Sequence, residues 1–208
     1  MVKAQDCSLA ELVLTLQSLP PDQLTLDRVT SILSERPLRE ASLARFINFR
    51  ADKYARNLVF RCDQFEMLVL CWQPGQATPI HNHAGQCGWV RVLRGALEET
   101  DYTPPDWMRG GVIPPGKIEI DDDGIGHGIT LTKGPTAVLA AGLAVSAVDR
   151  SRSIHRLGNP PRGGGDGRAV TLHVYARPHD SCLAFDVDQG TCRQVQLRPD
   201  TVPTAPLT

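Results

Sequence analysis

No stretch of the 208-residue sequence approaches the roughly 18 uninterrupted apolar residues of a membrane-spanning helix, and residues 136–148 are too short and too rich in alanine to serve. The first 19 residues lack the basic start, long apolar run and small-residue cleavage site of a signal peptide. The expectation is a cytoplasmic protein with no membrane partner. An excess of one charge is missing too: 22 Lys and Arg face 23 Asp and Glu, for a net charge of −1, so no basic field exists to hold nucleic acid. The six cysteines, at 7, 62, 71, 87, 182 and 192, form no CxxC pair, which excludes a zinc ribbon. A chain of this length needs no disulfide staples, and the thiols are expected to be free. Internal repeats are absent as well. What is present, 41% hydrophobic residues, suffices for one domain with a real core. No oligomeric state is specified, and the sequence is compatible with a monomer.

The first fifty residues carry helical periodicity. Leu9, Leu12, Val13, Leu16 and Leu19 line one face, and Pro20-Pro21 ends that segment; residues 24–33 repeat the pattern, as do 38–49 behind Pro37. From Tyr54 the pattern becomes short β-prone runs between Gly and Pro turns, at 57–60, 65–72, 88–93, 96–100, 137–143, 153–157, 169–175, 182–187 and 191–197. Residues 102–116 and the glycine-rich 160–167 read as connections, and the closing Pro- and Thr-rich residues as a loosely held tail. Asp121-Asp122-Asp123-Gly124 reads as a turn. It lacks the alternating ligands and closing Glu of a calcium loop. The fold class is thus mainly β, a barrel or sandwich, behind a helical subdomain.

One stretch carries recognisable chemistry. His81 and His83 are two apart, so on a strand both imidazoles leave the same face and can chelate one metal; a strand with two solvent-facing histidines would look the same. Thr171, His173 and Tyr175 also alternate and share a face. Arg56 offers a planar fork of donors suited to a carboxylate. His127 and His179 sit in apparent loops without convergent partners.

Gly75-x5-His81-x-His83-x4-Gly88-x6-Gly95, together with His155-x3-Asn159, resembles the two-part metal motif of the cupin superfamily. Gly88 stands where that motif has Glu, which leaves His81, His83 and His155. Three neutral imidazoles keep the full dipositive charge on a metal, and this favours a thiolate ligand. The sequence resembles the cysteine dioxygenases, thiol dioxygenases of that superfamily, in pieces from about Tyr54 to Asp186. The pieces are Tyr54-Ala55-Arg56-Asn57-Leu58-Val59, Leu70-Cys71-Trp72, Ser153-Ile154-His155-Arg156 and Thr171-Leu172-His173-Val174-Tyr175, with Thr171 replacing the usual Ser.

The resemblance implies a cupin β-barrel over 51–198, a helical subdomain over 1–50 packed on it, and a tail over 199–208. It implies one iron(II), Fe(2+), on His81, His83 and His155. Arg56 and Tyr54 would bind substrate, and Tyr175, His173 and Thr171 would form a catalytic relay. The implied reaction converts L-cysteine and O2 to cysteine sulfinate, within cysteine catabolism and sulfur and taurine metabolism. A 3-mercaptopropionate dioxygenase is the nearest alternative, although that group typically carries Gln where Arg56 stands. A metal-binding cupin without oxygenase activity, holding zinc or nickel, is the more distant one. Some family members link a cysteine covalently to the tyrosine; that cysteine's position is Gly88 here, so Tyr175 is expected to be unlinked. Cys87 is one residue away and on a regular strand would face the other side. Cys182 matches a family cysteine near the pocket entrance or wall.

Overall fold

The computed structural model describes residues 6–108, 112–142, 144–149, 154–161, 166–205 and 207. Parts of four expected segments, Leu143, Ser153 and residues 109–111 and 162–165, lie outside the described residues. The chain opens with α1 (Leu9–Gln17), started by a capping box in which Ser8 Oγ accepts from the Glu11 N–H and the Glu11 carboxylate accepts from the Ser8 N–H. Its buried face is Leu9, Leu12, Val13 and Leu16. α2 (Leu26–Glu35) is capped by Thr25 and buries Val29, Ile32 and Leu33. The third helix is shorter than the periodicity suggests: α3 covers only Glu40–Leu43, followed by a 3-10 turn at Ala44–Phe46. Cys7 is the reason. Its N–H and carbonyl pair with the Pro37 carbonyl and the Arg39 N–H, which holds 37–39 extended where a longer helix would begin.

Thirteen strands follow among the described residues: β1 (Ala55–Arg61), β2 (Phe65–Trp72), β3 (Ile80–Asn82), β4 (Gly88–Arg94), β5 (Ala96–Thr103), β6 (Glu119–Ile120), β7 (Ile125–His127), β8 (Thr132–Ala140), β9 (Ser146–Val148), β10 (Ile154–Gly158), β11 (Ala169–Ala176), β12 (Ser181–Asp186) and β13 (Thr191–Gln196). They form two sheets, β1-β2-β11-β4-β9 and β6-β7-β13-β12-β3-β10-β5-β8, packed as a sandwich. The turn at Asp121 closes the β6–β7 hairpin, and its carboxylate accepts from the Asp123 and Ile125 N–H groups. At the β4–β5 turn, Gly95 has φ +75°, and a Cβ there would stand 2.5 Å from the Arg168 carbonyl oxygen.

Alternation along β2 and β11 separates two cores. Phe65, Met67, Val69 and Cys71, with Val170, Leu172 and Val174, face the helices. Leu68, Leu70 and Trp72 face the space between the sheets, where Tyr54, Leu58 and Tyr175 join them. A fully buried leucine such as Leu68 contributes about 2 kcal/mol over an exposed one. On the far side of the second sheet Ile80 and Ile154 pack with Met108 and Phe185, so their neighbours His81 and His155 point inward. No helix among the described residues is long and apolar enough to cross a membrane.

Candidate active site

β10 pairs antiparallel with β3, with His155 directly opposite His81, and His83 follows two residues after His81. The ligand nitrogens of the three histidines all lie within 4.8 Å of one another, and their ring centroids are 4.7 to 5.1 Å apart. His83 and His155 are buried, and part of the His81 ring is reached from a cleft. Burial, followed by the charge of neighbouring His155, pushes the His81 imidazole down to about 3, so it is neutral and keeps a lone pair at physiological pH. The Pro79 carbonyl lies 3.0 Å from His81 Nδ1, which leaves Nε2 as the nitrogen for a metal. His155 Nδ1 donates to Glu99 Oε1 at 2.6 Å, and Glu99 Oε2 accepts from Ser146 Oγ at 2.6 Å. Glu99 is 1% exposed. Three convergent imidazoles, one backed by a carboxylate, are a donor set that fits a divalent transition metal.

Beside this cluster, Thr171, His173 and Tyr175 run along the inner face of β11. Trp72 Nε1 donates to Thr171 Oγ1 at 2.9 Å; Thr171 Oγ1 lies 2.9 Å from His173 Nε2, and His173 Nδ1 lies 3.0 Å from the Tyr175 hydroxyl. Burial holds His173 well below the ordinary imidazole range and raises the Tyr175 phenol, with Arg56 opposing the latter only in part. Gly88 is the register partner of Tyr175, and a Cβ on it would come within 3.0 Å of Tyr175 Cδ1. Cys87 packs on the opposite face, under the helices.

The open side of the cleft is lined by Arg56, Glu66, His81, His83, Tyr175 and Cys182. Among the described residues, Arg56 Nε is the one buried side-chain N or O atom without a hydrogen-bond partner. Arg56 Nη2 stands 3.7 Å from Glu66 Oε1, and Arg61 Nη1 is 3.2 Å from Glu66 Oε2. Burial raises the Glu66 carboxyl against the pull of Arg56 and Arg61, and it pushes the Cys182 thiol up to about 11. Tyr54 stacks on Trp72 at a centroid distance of 4.6 Å; burial raises its phenol, and Arg56 lowers it.

The sequence pattern described as cysteine dioxygenase type I matches residues 1–188. The chain belongs to that family. It is 26% identical over 192 residues to cysteine dioxygenase type 1 of Rattus norvegicus, covering 91% of this chain and 84% of the rat protein. The Homo sapiens protein is 24% identical over 192 residues, with the same coverage of each chain. Similar solved structures include a cupin superfamily protein from Desulfitobacterium hafniense (17% identity, TM-score 0.40, 69% of this chain and 93% of that one). A double-stranded beta-helix protein from Klebsiella pneumoniae is another (15% identity, TM-score 0.45, 70% and 95%).

In this cysteine dioxygenase family member, the eight residues singled out in the sequence lie around one region between the sheets: His81, His83, His155, Thr171, His173, Tyr175, Arg56 and Tyr54. His127 is not in a loop. It ends β7 and pairs with Asp121 at 2.9 Å, away from the histidine cluster. His179 lines the cleft but is not part of the cluster. Glu99, Ser146 and Glu66 escaped sequence reading, although Glu98-Glu99 in a strand carried a signal, since alternation forces one of two adjacent acids inward. The tail also differs from expectation at Asp200 and Thr201, which bond to β1 beside Arg56. Burial would raise the Asp200 carboxyl, but the Arg56 backbone N–H, Lys53 and Arg50 together hold it below the ordinary range.

Proposed function

We propose that the chain is a non-haem iron(II) thiol dioxygenase that converts L-cysteine and O2 to cysteine sulfinate. The observation that carries the reading is the buried Arg56 guanidinium, whose Nε lacks a hydrogen-bond partner, in the cleft lined by His81 and His83 of the three convergent histidines. A buried donor left without a partner costs about 1 to 3 kcal/mol, and a substrate carboxylate would remove that cost. The reaction balances with no other reductant: the thiol sulfur loses four electrons, O2 gains them, and both oxygens end on sulfur.

Held by His81, His83 and His155, iron(II) would supply oxygen activation and a seat for the thiolate. Glu99 fixes the tautomer and ring orientation of His155 by accepting its Nδ1 proton, and Ser146 fixes Glu99 in turn. Arg56 clamps the carboxylate, so the sulfur is held in one orientation. The Trp72 indole can only donate, and this sets the direction of the chain behind it. Thr171 accepts from Trp72 and donates to His173 Nε2; neutral His173 keeps its proton on Nδ1 and donates to the Tyr175 oxygen. The Tyr175 hydroxyl proton is then left to point into the cleft, where it steadies charge developing on oxygen. A protein that merely stored zinc or nickel would need neither this oriented hydroxyl nor the Arg56 fork.

The test is anaerobic reconstitution with iron(II), then L-cysteine or 3-mercaptopropionate with O2, following oxygen uptake and sulfinate. The expected result is one O2 per sulfinate, with L-cysteine preferred. No uptake with either thiol sinks the oxygenase reading, and better turnover of 3-mercaptopropionate overturns the choice of substrate.

A further inference from the structure

β1, which carries Arg56, is the edge strand of the five-stranded sheet, so its outer hydrogen-bonding edge needs a partner. That partner is the C-terminal segment. Asp200 N–H donates to the Arg56 carbonyl at 2.8 Å, and Asp200 Oδ2 accepts from the Arg56 N–H at 2.9 Å, so both backbone groups of the arginine end on one residue. Thr201 continues the contact: its carbonyl accepts from the Leu58 N–H at 3.0 Å, and its hydroxyl donates to Asn57 Oδ1 at 2.9 Å. The other Asp200 oxygen is held by Lys53 Nζ at 3.0 Å and Arg50 Nη1 at 3.2 Å. The Asp200 side chain is 10% exposed, which is unusual for an acid in a terminal tail. These residues lie beyond the 1–188 that match the family pattern.

We infer that Asp200 is a positioning residue for substrate binding, which fixes the backbone of Arg56 so that its guanidinium meets the substrate carboxylate at a set place in the cleft. The inference rests on the reading of Arg56 as the carboxylate clamp. Its physical content is that Arg56 Nε has no hydrogen-bond partner and that the ion pair of its Nη2 with Glu66 Oε1 is a long 3.7 Å, so side-chain contacts leave part of its placement to the backbone that carries it. An error of about 1 Å at such a clamp is costly in an oriented reaction. Asp200 touches neither the histidine cluster nor the Tyr175 relay in any recorded contact, so the step after binding does not depend on it.

The experiment uses the full-length, iron-loaded enzyme with L-cysteine and compares Asp200→Ala, Asp200→Asn and Arg56→Ala. Loss of the acceptor of the Arg56 N–H, with the Lys53 and Arg50 contacts that hold it, is expected in Asp200→Ala to raise KM about tenfold with kcat within about twofold. Asp200→Asn, whose amide oxygen accepts the same N–H, restores most of the wild-type KM. Hydrogen exchange of a peptide covering 55–60 speeds up in Asp200→Ala, while a peptide covering 80–83 stays unchanged. Should Asp200→Ala fail to fold, Thr201→Ala, which removes only the Asn57 contact, shows the same change at about threefold. If Arg56→Ala leaves KM unchanged, the carboxylate reading itself fails. If Arg56→Ala raises KM but Asp200→Ala does not, or if kcat and KM of Asp200→Ala fall together, the positioning role is overturned and the tail is structural only.

Discussion

The two faces of the five-stranded sheet are made from the same strands and differ in almost every property. Toward the helices, β2 and β11 present Phe65, Met67, Val69, Cys71, Val170, Leu172 and Val174, all apolar. One residue over, toward the second sheet, the same strands present Trp72, Thr171, His173 and Tyr175, tied to one another and to the histidine cluster by directed contacts, beside Leu68 and Leu70 and with Glu66 paired to Arg56 and Arg61. The outer face fixes where the strands lie, through packing that has no direction. The inner face needs direction, because each buried polar atom must find a particular partner. A strand alternates strictly, so one segment serves both tasks without compromise.

Four substitutions probe that division, beginning with the largest expected effect. Tyr175→Phe on the inner face should lower kcat by about 100-fold or more with KM within about threefold, read by steady-state oxygen uptake. It should cost only about 1 to 2 kcal/mol of stability, for leaving His173 Nδ1 without its acceptor. Leu172→Ala, between Thr171 and His173 but facing the helices, should do the reverse. A loss of about 3 kcal/mol in urea unfolding is expected, with kcat/KM of the folded enzyme within about twofold. A comparable loss of kcat/KM there would mean that the faces are not independent.

Glu99→Gln tests whether direction extends to the metal. The amide still accepts from His155 but carries no charge, so iron(II) affinity measured by competition with a chelator should fall about tenfold. Unchanged affinity would reduce Glu99 to packing. The smallest effect concerns pH. Burial raises the Glu66 carboxyl, so between the ordinary carboxylate value and the raised one the folded chain holds more proton than the unfolded chain. Stability from this residue therefore falls as pH rises through that window. Glu66→Gln should flatten the profile of urea midpoints just above the ordinary carboxylate range; a parallel profile would show that Arg56 and Arg61 offset the burial in full.

Much of the site was legible because strand geometry is local. His81 with His83, and Thr171 with His173 and Tyr175, needed only a period of two. The helix predicted over 38–49 starts late for a non-local reason: Cys7, far away in sequence, claims the backbone of 37–39. The same holds for the partners that the motifs lacked. Glu99 and His155 are 56 residues apart, Trp72 and Thr171 are 99 apart, and Arg56 and Asp200 are 144 apart.

By itself, the sequence determined which side chains share a strand face, since alternation follows from the chirality and sterics of each residue, and which residues are candidates for holding a metal and a carboxylate. Only the tertiary structure decided which face is the interior, which acid stands behind His155 and which terminal residue holds Arg56. Those pairings depend on strand order and register, which are set by how two sheets close over a shared core and not by any one segment.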